Sequence, residues 1–231
     1  MLALFPEGFE EAERGEELEL SAYTDSVGER RAEVGFGTIE ATDVDPGWAY
    51  RWREFHRPIR AGGLWVGPPW EEPPPREPAI VIDPGRAFGT GAHPTTRLCL
   101  ELLSGVPRGP LLDVGCGSGV LSIAAVRLGF APVTAVDCDS HALEAAGRNA
   151  RANGVELGLM QADGRSGSLP PAGIGILNIS LELVQEIGPR LECDLLVTSG
   201  YFEAHTPRLA RFSIRERRTL AGWAADLHAR E

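Results

Sequence analysis

The stretch LLDVGCGSGVLSIAA, residues 111–125, decides the fold of this chain. A buried-strand pattern leads into glycines at Gly115, Gly117 and Gly119, and an apolar run with helical spacing follows. Glycines let the backbone turn sharply and let a ligand approach the main chain closely, and the helix N-terminus then faces that ligand. The stretch therefore predicts a strand–turn–helix unit that binds a small molecule.

The spacing of these glycines narrows the class of ligand. Dinucleotide oxidoreductases use G-x-G-x-x-G, but here the third glycine comes one residue early and Val120 takes its place. The turn is not followed by the lysine of a phosphate-binding P-loop. The G-x-G-x-G pattern behind Asp113 resembles that of Rossmann-like methyltransferases, which implies S-adenosylmethionine, a cofactor without phosphate.

Two acidic residues follow the next two predicted strands. Asp137 ends VTAVD, and a carboxylate there can accept hydrogen bonds from both ribose hydroxyls of a nucleoside. Asp163 ends LGLMQAD and could accept a hydrogen bond from the adenine amino group. A glycine turn followed by two such acids favours a nucleoside site, although simple turn formation would explain either aspartate.

Outward from the turn, short apolar runs alternate with stretches of helical spacing. Strand–helix alternation predicts an α/β fold whose parallel sheet is covered on both faces. In SHALEAAGRNARANGV we expect Ser140 to be the N-cap and Asn153-Gly154 to end the helix. RFSIRERRTL and GWAADLHA are expected to form a closing antiparallel pair. The predicted parallel strands are 110–115, 133–137, 157–163, 174–180 and 194–200.

Composition divides the chain into three parts. Residues 1–60 are rich in Glu and Arg and contain strand-like alternation, which predicts a small α+β domain for substrate recognition. Its abrupt start at MLALF leads us to expect that an upstream strand and helix are missing. Proline is concentrated in GPPWEEPPPREP, so we predict a stiff linker over 61–78. Residues 79–231 form the catalytic domain in this interpretation.

The charge and composition exclude several classes of protein. The 231 residues carry a formal net charge of −11, which disfavours general nucleic-acid binding and favours a basic partner. The four cysteines form no CxxC pair, so we expect reduced thiols and no metal site. The sequence shows neither a secretory signal at its start nor an apolar run that could cross a membrane. We therefore expect a cytoplasmic protein.

The stretch AFGTGAHPTTR, residues 87–97, is oddly composed for a spacer, because Phe88 is costly to leave in water. Together with TTRLCLELL and DVGCGSGVLSIAA, it resembles the signature of the ribosomal protein L11 methyltransferase family. VIDPG, AVDCDSHALEAAGRNARANGV, ILNISLELV and the Trp-rich segment 48–70 extend the resemblance to the C-terminus. Residues 1–47 match only loosely. The resemblance implies a class I methyltransferase fold with a mostly parallel seven-stranded sheet.

The resemblance also implies roles for individual residues. The FGTG loop would fold over S-adenosylmethionine, with Phe88 packed on its nucleoside or methionine portion and Gly89 and Gly91 lying close to it. Thr90 and Thr96 would offer hydroxyls and backbone amides to its polar ends. The other implied cofactor contacts are Asp113, Gly115, Cys116, Gly117, Gly119, Asp137, Asp163 and Asn178.

Three residues near these motifs have competing interpretations. Thr95 and Thr96 open a predicted helix, so their hydroxyls could simply cap its free amides. We favour His93 as a polar loop residue before Pro94. Asn178 ends the fourth strand in ILNIS, where related methyltransferases place a polar residue facing substrate or cofactor. We predict that Asn178 is catalytic, although a structural role at a strand end would also fit.

The residues after Asn178 indicate the kind of methyl acceptor. Enzymes that methylate adenine or glutamine usually carry an NPPY-like run, whereas here Ile179, Ser180 and Leu181 follow. The resemblance implies N-methylation of lysine or amino groups on ribosomal protein L11 or a close relative. Two alternatives stay open: a methyltransferase of the same fold acting on a small molecule or another protein, and a cofactor-binding protein without catalysis.

Overall fold

The computed structural model describes residues 10–14, 17–21, 57–83 and 92–231. The chain divides into two compact units, Met1–Arg51 and Trp52–Glu231. In the first unit, β1 (Glu10–Arg14) pairs antiparallel with β2 (Glu17–Ser21). The other expected elements of the N-terminal domain lie outside the described residues. The boundary after Arg51 falls nine residues before the predicted end of that domain at residue 60.

The second unit is built on a seven-stranded sheet with the order β11-β12-β10-β9-β6-β7-β8. Neighbouring strands from β10 to β8 are parallel, and β11 and β12 form the expected antiparallel pair at one edge. The fold class predicted from the sequence is confirmed. The strands are β6 (Leu111–Val114), β7 (Val133–Asp137), β8 (Gly158–Gln161), β9 (Ile174–Asn178), β10 (Leu195–Phe202), β11 (Phe212–Leu220) and β12 (Trp223–Arg230).

Four helices cover this sheet, and the sheet separates the two larger apolar cores. Helices α1, α2 and α3 pack in sequence on one face, where the core contains residues such as Leu98 and Ile123. Helix α4 contacts β10 on the face whose core contains Leu177 and Leu196. Burial on both faces is why the central strands read as continuous apolar runs. The helices are α1 (Pro94–Ser104), α2 (Val120–Arg127), α3 (Ser140–Ala152) and α4 (Leu181–Ile187).

The region predicted as a linker is partly folded, and the prediction is wrong there. A three-stranded sheet consists of β3 (Ile59–Ala61), β4 (Leu64–Gly67) and β5 (Ala79–Val81). Strand β4 is buried along its length and its side chains join the core of α1. Residues 68–78, which contain the prolines of this stretch, are irregular. The apolar residues before and after them form the paired strands β4 and β5.

Two helix starts differ from their predictions. The N-cap of α3 is Asp139, whose side chain accepts a hydrogen bond from the amide of His141, so Ser140 is the first helical residue instead. The N-cap of α1 is His93, whose Nδ1 accepts from the amide of Thr95 at 3.3 Å. An extended residue directly before each helix brings its side chain back over the first turn. Asn153 ends α3 as predicted.

Strands β10 and β12 bury a group of polar side chains. The Oη of Tyr201 donates to Oδ2 of Asp226 at 2.8 Å, and the Thr198 hydroxyl lies 2.9 Å from Nε2 of His228. Burial raises the pKa of the Asp226 carboxyl and lowers the pKa of His228 to about 4, so His228 is neutral at pH 7. Arg217 on β11 places its Nε 3.4 Å from Asp226. The group holds the antiparallel edge to the parallel sheet.

Candidate functional site

The carboxyl ends of the parallel strands converge on one edge of the sheet. The order β9-β6-β7 means that the chain leaves β6 to one side for β7 and later returns to the other side for β9. In open α/β sheets, ligands bind in the crevice outside the strand ends at such a switch point. The residues that end these strands, Val114, Asp137 and Asn178, therefore define the candidate site.

The glycine turn has the backbone conformation that the sequence predicts. Gly115, Gly117 and Gly119 all have positive φ, at 79°, 53° and 79°. At the first and third of these glycines a side chain would also collide with its surroundings: a Cβ on Gly119 would lie 2.8 Å from the Cβ of Ala146. A Cβ on Gly115 would lie 2.5 Å from Cγ2 of Ile179. Only glycine satisfies both the conformation and the close packing.

Asp137 connects the second strand to the glycine turn. Its Oδ2 accepts a hydrogen bond of 3.0 Å from the amide of Gly117, and its Oδ1 accepts one of 3.0 Å from the amide of Asp139. The side chain is half-buried at the strand end. Because each carboxylate oxygen can accept more than one hydrogen bond, this arrangement orients Asp137 and leaves it capacity to bind a hydroxyl pair.

Asp113 lies beneath the turn instead of facing the crevice. Its side chain is buried, and Oδ2 accepts a hydrogen bond of 2.5 Å from the hydroxyl of Ser122 in α2. Burial, with Asp137 nearby, raises the pKa of Asp113 to about 6. Cys116 is buried too, which raises the pKa of its thiol. Both side chains are therefore buried in the support of the turn, and the cofactor contacts predicted for Asp113 and Cys116 stay predictions.

Asp163 lies at the same edge of the sheet but already has a partner. The β8 strand ends at Gln161, so Asp163 follows it by two residues instead of ending it. Its Oδ2 pairs with Nη2 of Arg165 at 2.9 Å, and this hydrogen-bonded pair lowers the pKa of Asp163. The pair is exposed, so solvent screening makes it weak and easily exchanged.

Asn178 stands opposite the glycine turn on β9. It pairs with Ser199 of β10, and the amide of the next residue, Ile179, donates to the carbonyl of Ser199 at 3.2 Å. At the β-bulge after Ser199, a Cβ on Gly200 would lie 1.9 Å from the carbonyl oxygen of Ile179. Ile179 is therefore held between two glycines, Gly115 and Gly200, which fixes Asn178 beside the turn.

Two buried asparagines, missed by the sequence analysis as site residues, hold the segment that leads to the FGTG motif. The side chain of Asn153 bonds both the amide and the carbonyl of Val81, at 2.8 and 2.6 Å. One turn earlier, Asn149 bonds the amide and carbonyl of Asp83 and also the carbonyl of Ser118 in the glycine turn, at 2.9 Å. Polar residues four apart on the buried face of α3 were the available signal.

The FGTG motif itself, with the predicted contacts Phe88, Gly89, Thr90 and Gly91, lies outside the described residues. On its C-terminal side, Thr96 is buried in the first turn of α1. The hydroxyl of Thr95 lies 2.8 Å from Nδ1 of His93. The capping of this helix therefore comes from His93, and neither threonine supplies it as the sequence analysis allowed.

Two further searches covered the same described residues. No cluster of three or more His, Cys, Asp or Glu side chains there could hold a metal ion. No helix in the described ranges combines the length and the apolar character needed to cross a membrane.

Comparison with known proteins identifies the family. A sequence model of the family described as ribosomal protein L11 methyltransferase (PrmA) matches residues 2–204. The ribosomal protein L11 methyltransferase of Caldanaerobacter subterraneus subsp. tengcongensis is 38% identical over 217 residues, covering 81% of this chain and 70% of that protein. The chain belongs to this family.

Two further comparisons give another curated relative and a solved structure. The ribosomal protein L11 methyltransferase of an Exiguobacterium species is 45% identical over 129 residues, 53% of this chain but 41% of that protein. A crystal structure of a ribosomal protein L11 methylase from Lactobacillus delbrueckii subsp. bulgaricus superposes with a TM-score of 0.67 at 27% identity, covering 76% of this chain and all of that one. The alignments thus span between 41% and 70% of these two curated relatives.

The described part of the candidate site in this chain consists of three connected pieces. The glycine turn at 115–119 forms its floor, Asp137 stands on one side and Asn178 on the other. Ile179 and Asn149 join these pieces through packing and hydrogen bonding. These contacts hold the three pieces in fixed relative positions, as expected of a preformed site for a small ligand.

Proposed function

We propose that this chain is an S-adenosylmethionine-dependent protein methyltransferase that N-methylates lysine or amino groups of ribosomal protein L11 or a close relative. The observation that carries the proposal is the joint placement of the glycine turn, Asp137 and Asn178 at one sheet edge in a chain of this family. A cofactor-binding crevice and a polar group beside it are the two parts that a methyl transfer to an amine requires.

The chemistry of the crevice fits S-adenosylmethionine. The stretch 111–126 contains no lysine or arginine, so nothing in the turn would neutralise a pyrophosphate. The carboxylate of Asp137 at the end of β7 would favour a ligand with positive charge, such as a sulfonium with an amino group. In this proposal Asp137 binds the ribose hydroxyls, and Asp163 exchanges Arg165 for the adenine amino group.

The residues of the turn would bind the cofactor through their backbone. Gly115, Gly117 and Gly119 present main chain without side chains, and helix α2 begins at Val120. Cys116 and Asp113 support the turn through their buried side chains, and Thr96 would contribute from the first turn of α1. The contacts of Phe88, Gly89, Thr90 and Gly91 stay predictions, because these residues lie outside the described ones.

The acceptor side requires a neutral amine. When bound, S-adenosylmethionine supplies an electrophilic methyl group on its sulfonium sulfur. A free lysine amine has a pKa near 10.4, so it must lose a proton before its lone pair can form the new bond to carbon. The amide oxygen of Asn178 would hold the amine in line with that methyl group, and solvent would take the proton.

The acceptor is proposed to be a basic protein, since the chain carries a formal net charge of −11. The N-terminal unit, Met1–Arg51, would contribute to its recognition. We also propose a cytoplasmic location for this chain, because ribosomal proteins are made and assembled in the cytoplasm. Recognition of nucleic acid or of a membrane is not part of this proposal.

A transfer assay tests the proposal. Purified protein is incubated with methyl-labelled S-adenosylmethionine and with unmethylated ribosomal protein L11, and in parallel with a ribosomal extract. We expect label on L11, located by mass spectrometry on lysine or amino-terminal nitrogen. Label on other molecules would support the same fold with another acceptor, and cofactor binding without any transfer would support a non-catalytic protein.

A variant of Asn178 separates binding from chemistry. Asn178→Ala should retain S-adenosylmethionine affinity, measured by calorimetry, while kcat falls on the order of 100-fold because the amine is no longer held in line. Leu159→Ala, at an exposed position of the edge strand β8, is the control and should change neither the affinity nor kcat. Equal transfer rates for wild type and Asn178→Ala would remove Asn178 from the mechanism.

A further inference from the structure

A row of aromatic rings connects the start of α1 with the ends of β10 and β12. His93 at the start of α1 contacts Trp223 edge-on, with 4.7 Å between ring centroids. Trp223 in turn packs against Phe202 with centroids 4.5 Å apart, and His205 follows at 6.3 Å from Phe202. We call these four residues the aromatic row. It runs from the half-buried His93, held at the start of α1, to the exposed Phe202 and His205.

Phe202 is the exposed member of the row. It is 54% exposed, the largest value among the described large apolar residues, although it sits at the end of a strand that is otherwise mostly buried. The two strands place Phe202 opposite Trp223, which is the cross-strand position where aromatic pairs stabilise a sheet. One face of the ring therefore rests on Trp223 and the rest faces solvent, as expected of a contact surface.

The residue that follows Phe202 in the chain, Glu203, carries an exposed carboxylate. The backbone amide of Glu203 donates to the carbonyl of Gly222 at 2.8 Å, which fixes Glu203 next to the turn before Trp223. Within the part of the chain that the structure describes, the Glu203 side chain makes no hydrogen bond or ion pair and is exposed. Arg217, whose guanidinium donates to the carbonyl of His205 in the aromatic row, is also engaged by the buried Asp226.

An aromatic face next to an exposed carboxylate is complementary to a lysine or arginine side chain. The cation is attracted by both the ring and the carboxylate, and its methylene stem packs on the ring. The strongly negative net charge of the chain adds to this attraction. An uncharged side chain would gain only the packing on the ring, and an acidic side chain would gain neither of the two attractions.

The distance from the transfer site decides which part of an acceptor reaches this surface. Ser199 is paired with Asn178, and Phe202 lies three residues further along β10. At roughly 3.3 Å per residue this places Phe202 about 10 Å beyond Asn178, the span of about three residues of extended chain. The surface would therefore contact a neighbour of the methylated residue.

We propose that Phe202, supported by Trp223, and Glu203 form a docking site for a lysine or arginine that flanks the methylated amine of the acceptor protein. This inference rests on the proposed function, because it assigns a second contact to the same acceptor. The site contributes affinity for the acceptor and takes no part in the transfer step.

The test is a steady-state comparison with unmethylated ribosomal protein L11 as acceptor. Phe202→Ala should raise KM for L11 by about 3- to 10-fold, the loss of one exposed ring–cation contact, with kcat and cofactor affinity unchanged. Phe202→Tyr should keep the wild-type KM. Leu159→Ala, which removes an exposed apolar side chain from the opposite edge strand, is the matched control and should change nothing.

Glu203→Gln tests the charged half of the site. It should raise KM for L11 at low salt, and the difference from wild type should vanish at high salt as the charges are screened. Equal KM values for wild type, Phe202→Ala and Leu159→Ala would overturn the inference, as would a loss of kcat and cofactor affinity with KM unchanged. If the wild-type protein methylates nothing, the proposed function fails, and calorimetric binding of L11 to wild type and Phe202→Ala then decides the docking site separately.

Discussion

Ile179 occupies the space that a side chain on Gly115 would need: its Cγ2 lies 2.5 Å from the position of a Cβ on that glycine. The two residues belong to different strand ends, since Gly115 follows β6 and Ile179 follows β9. Their contact sets the spacing between the cofactor turn and Asn178. Changes at either residue should therefore affect both stability and the alignment of the two halves of the site.

A double-mutant cycle measures this contact. Gly115→Ala should destabilise the protein by the strain of a positive φ, about 1–2 kcal/mol, plus the cost of the collision with Ile179. Combining it with Ile179→Ala should remove the collision, so denaturant unfolding should give a favourable coupling of about 0.5–3 kcal/mol. Gly129→Ala is the matched control, because Gly129 has φ 92° and open space around it. Strict additivity of the two changes would contradict the contact.

Asp137 should be the main side-chain determinant of cofactor affinity. Asp137→Ala leaves the ribose hydroxyls and the Gly117 amide without their acceptor, so S-adenosylmethionine should bind about 1–3 kcal/mol more weakly by calorimetry. Asp139→Ala is the control two residues away, since it removes only the N-cap of α3 and should cost about 1 kcal/mol of stability. Comparable cofactor affinities in the two variants would refute the assignment of Asp137.

The two asparagines of α3 should have separable effects. Asn149→Ala and Asn153→Ala each remove two hydrogen bonds to part-buried backbone groups of residues 81–83, so each should lower the free energy of unfolding by about 1–3 kcal/mol. Only Asn149 also bonds the carbonyl of Ser118 in the glycine turn, so only Asn149→Ala should weaken cofactor binding. The same loss of affinity in both variants would show that the Ser118 contact is unimportant.

Asp113 should make the stability of the protein depend on pH. The folded protein keeps the Asp113 proton up to a pKa of about 6, whereas the unfolded chain releases it near 3.8. The free energy of unfolding should therefore fall as pH rises between these values, by roughly 3 kcal/mol for this group. Asp113→Asn should flatten that slope in denaturant titrations at a series of pH values.

Ser122 provides the complementary variant. Its hydroxyl hydrogen bond lowers the pKa of Asp113 against the larger effect of burial. Ser122→Ala should therefore raise this pKa further and extend the pH window of declining stability upward. A slope that is unchanged in both variants would mean that another group titrates there.

The sequence predicted the central elements because they depend on local signals. Apolar runs between glycines located β6, β7 and β9 to within a residue or two, and the glycine spacing located the turn after β6. The helix starts were less accurate, because Ser140 and Asp139 are both good N-cap residues and only the backbone conformation distinguishes them. His93 is an unusual cap, and no propensity would have selected it.

Long-range features were not predictable from these patterns. Strand β4 was taken for part of a linker, since its pairing with β5 is separated by the proline segment. The bonds from Asn149 and Asn153 to residues 81–83 span 66 and 72 positions in the chain. The Arg165 partner of Asp163 depends on a loop conformation that composition does not specify.

The strand order also bears on synthesis. Strand β11 is hydrogen-bonded only to β12 within the described sheet, although β12 follows it in the chain. Residues 212–220 leave the ribosome before residues 223–230. Strand β11 can therefore pair only after β12 has been translated and has paired with β10. Vectorial folding can complete the parallel part of the sheet early, but the antiparallel edge that carries Trp223 forms last.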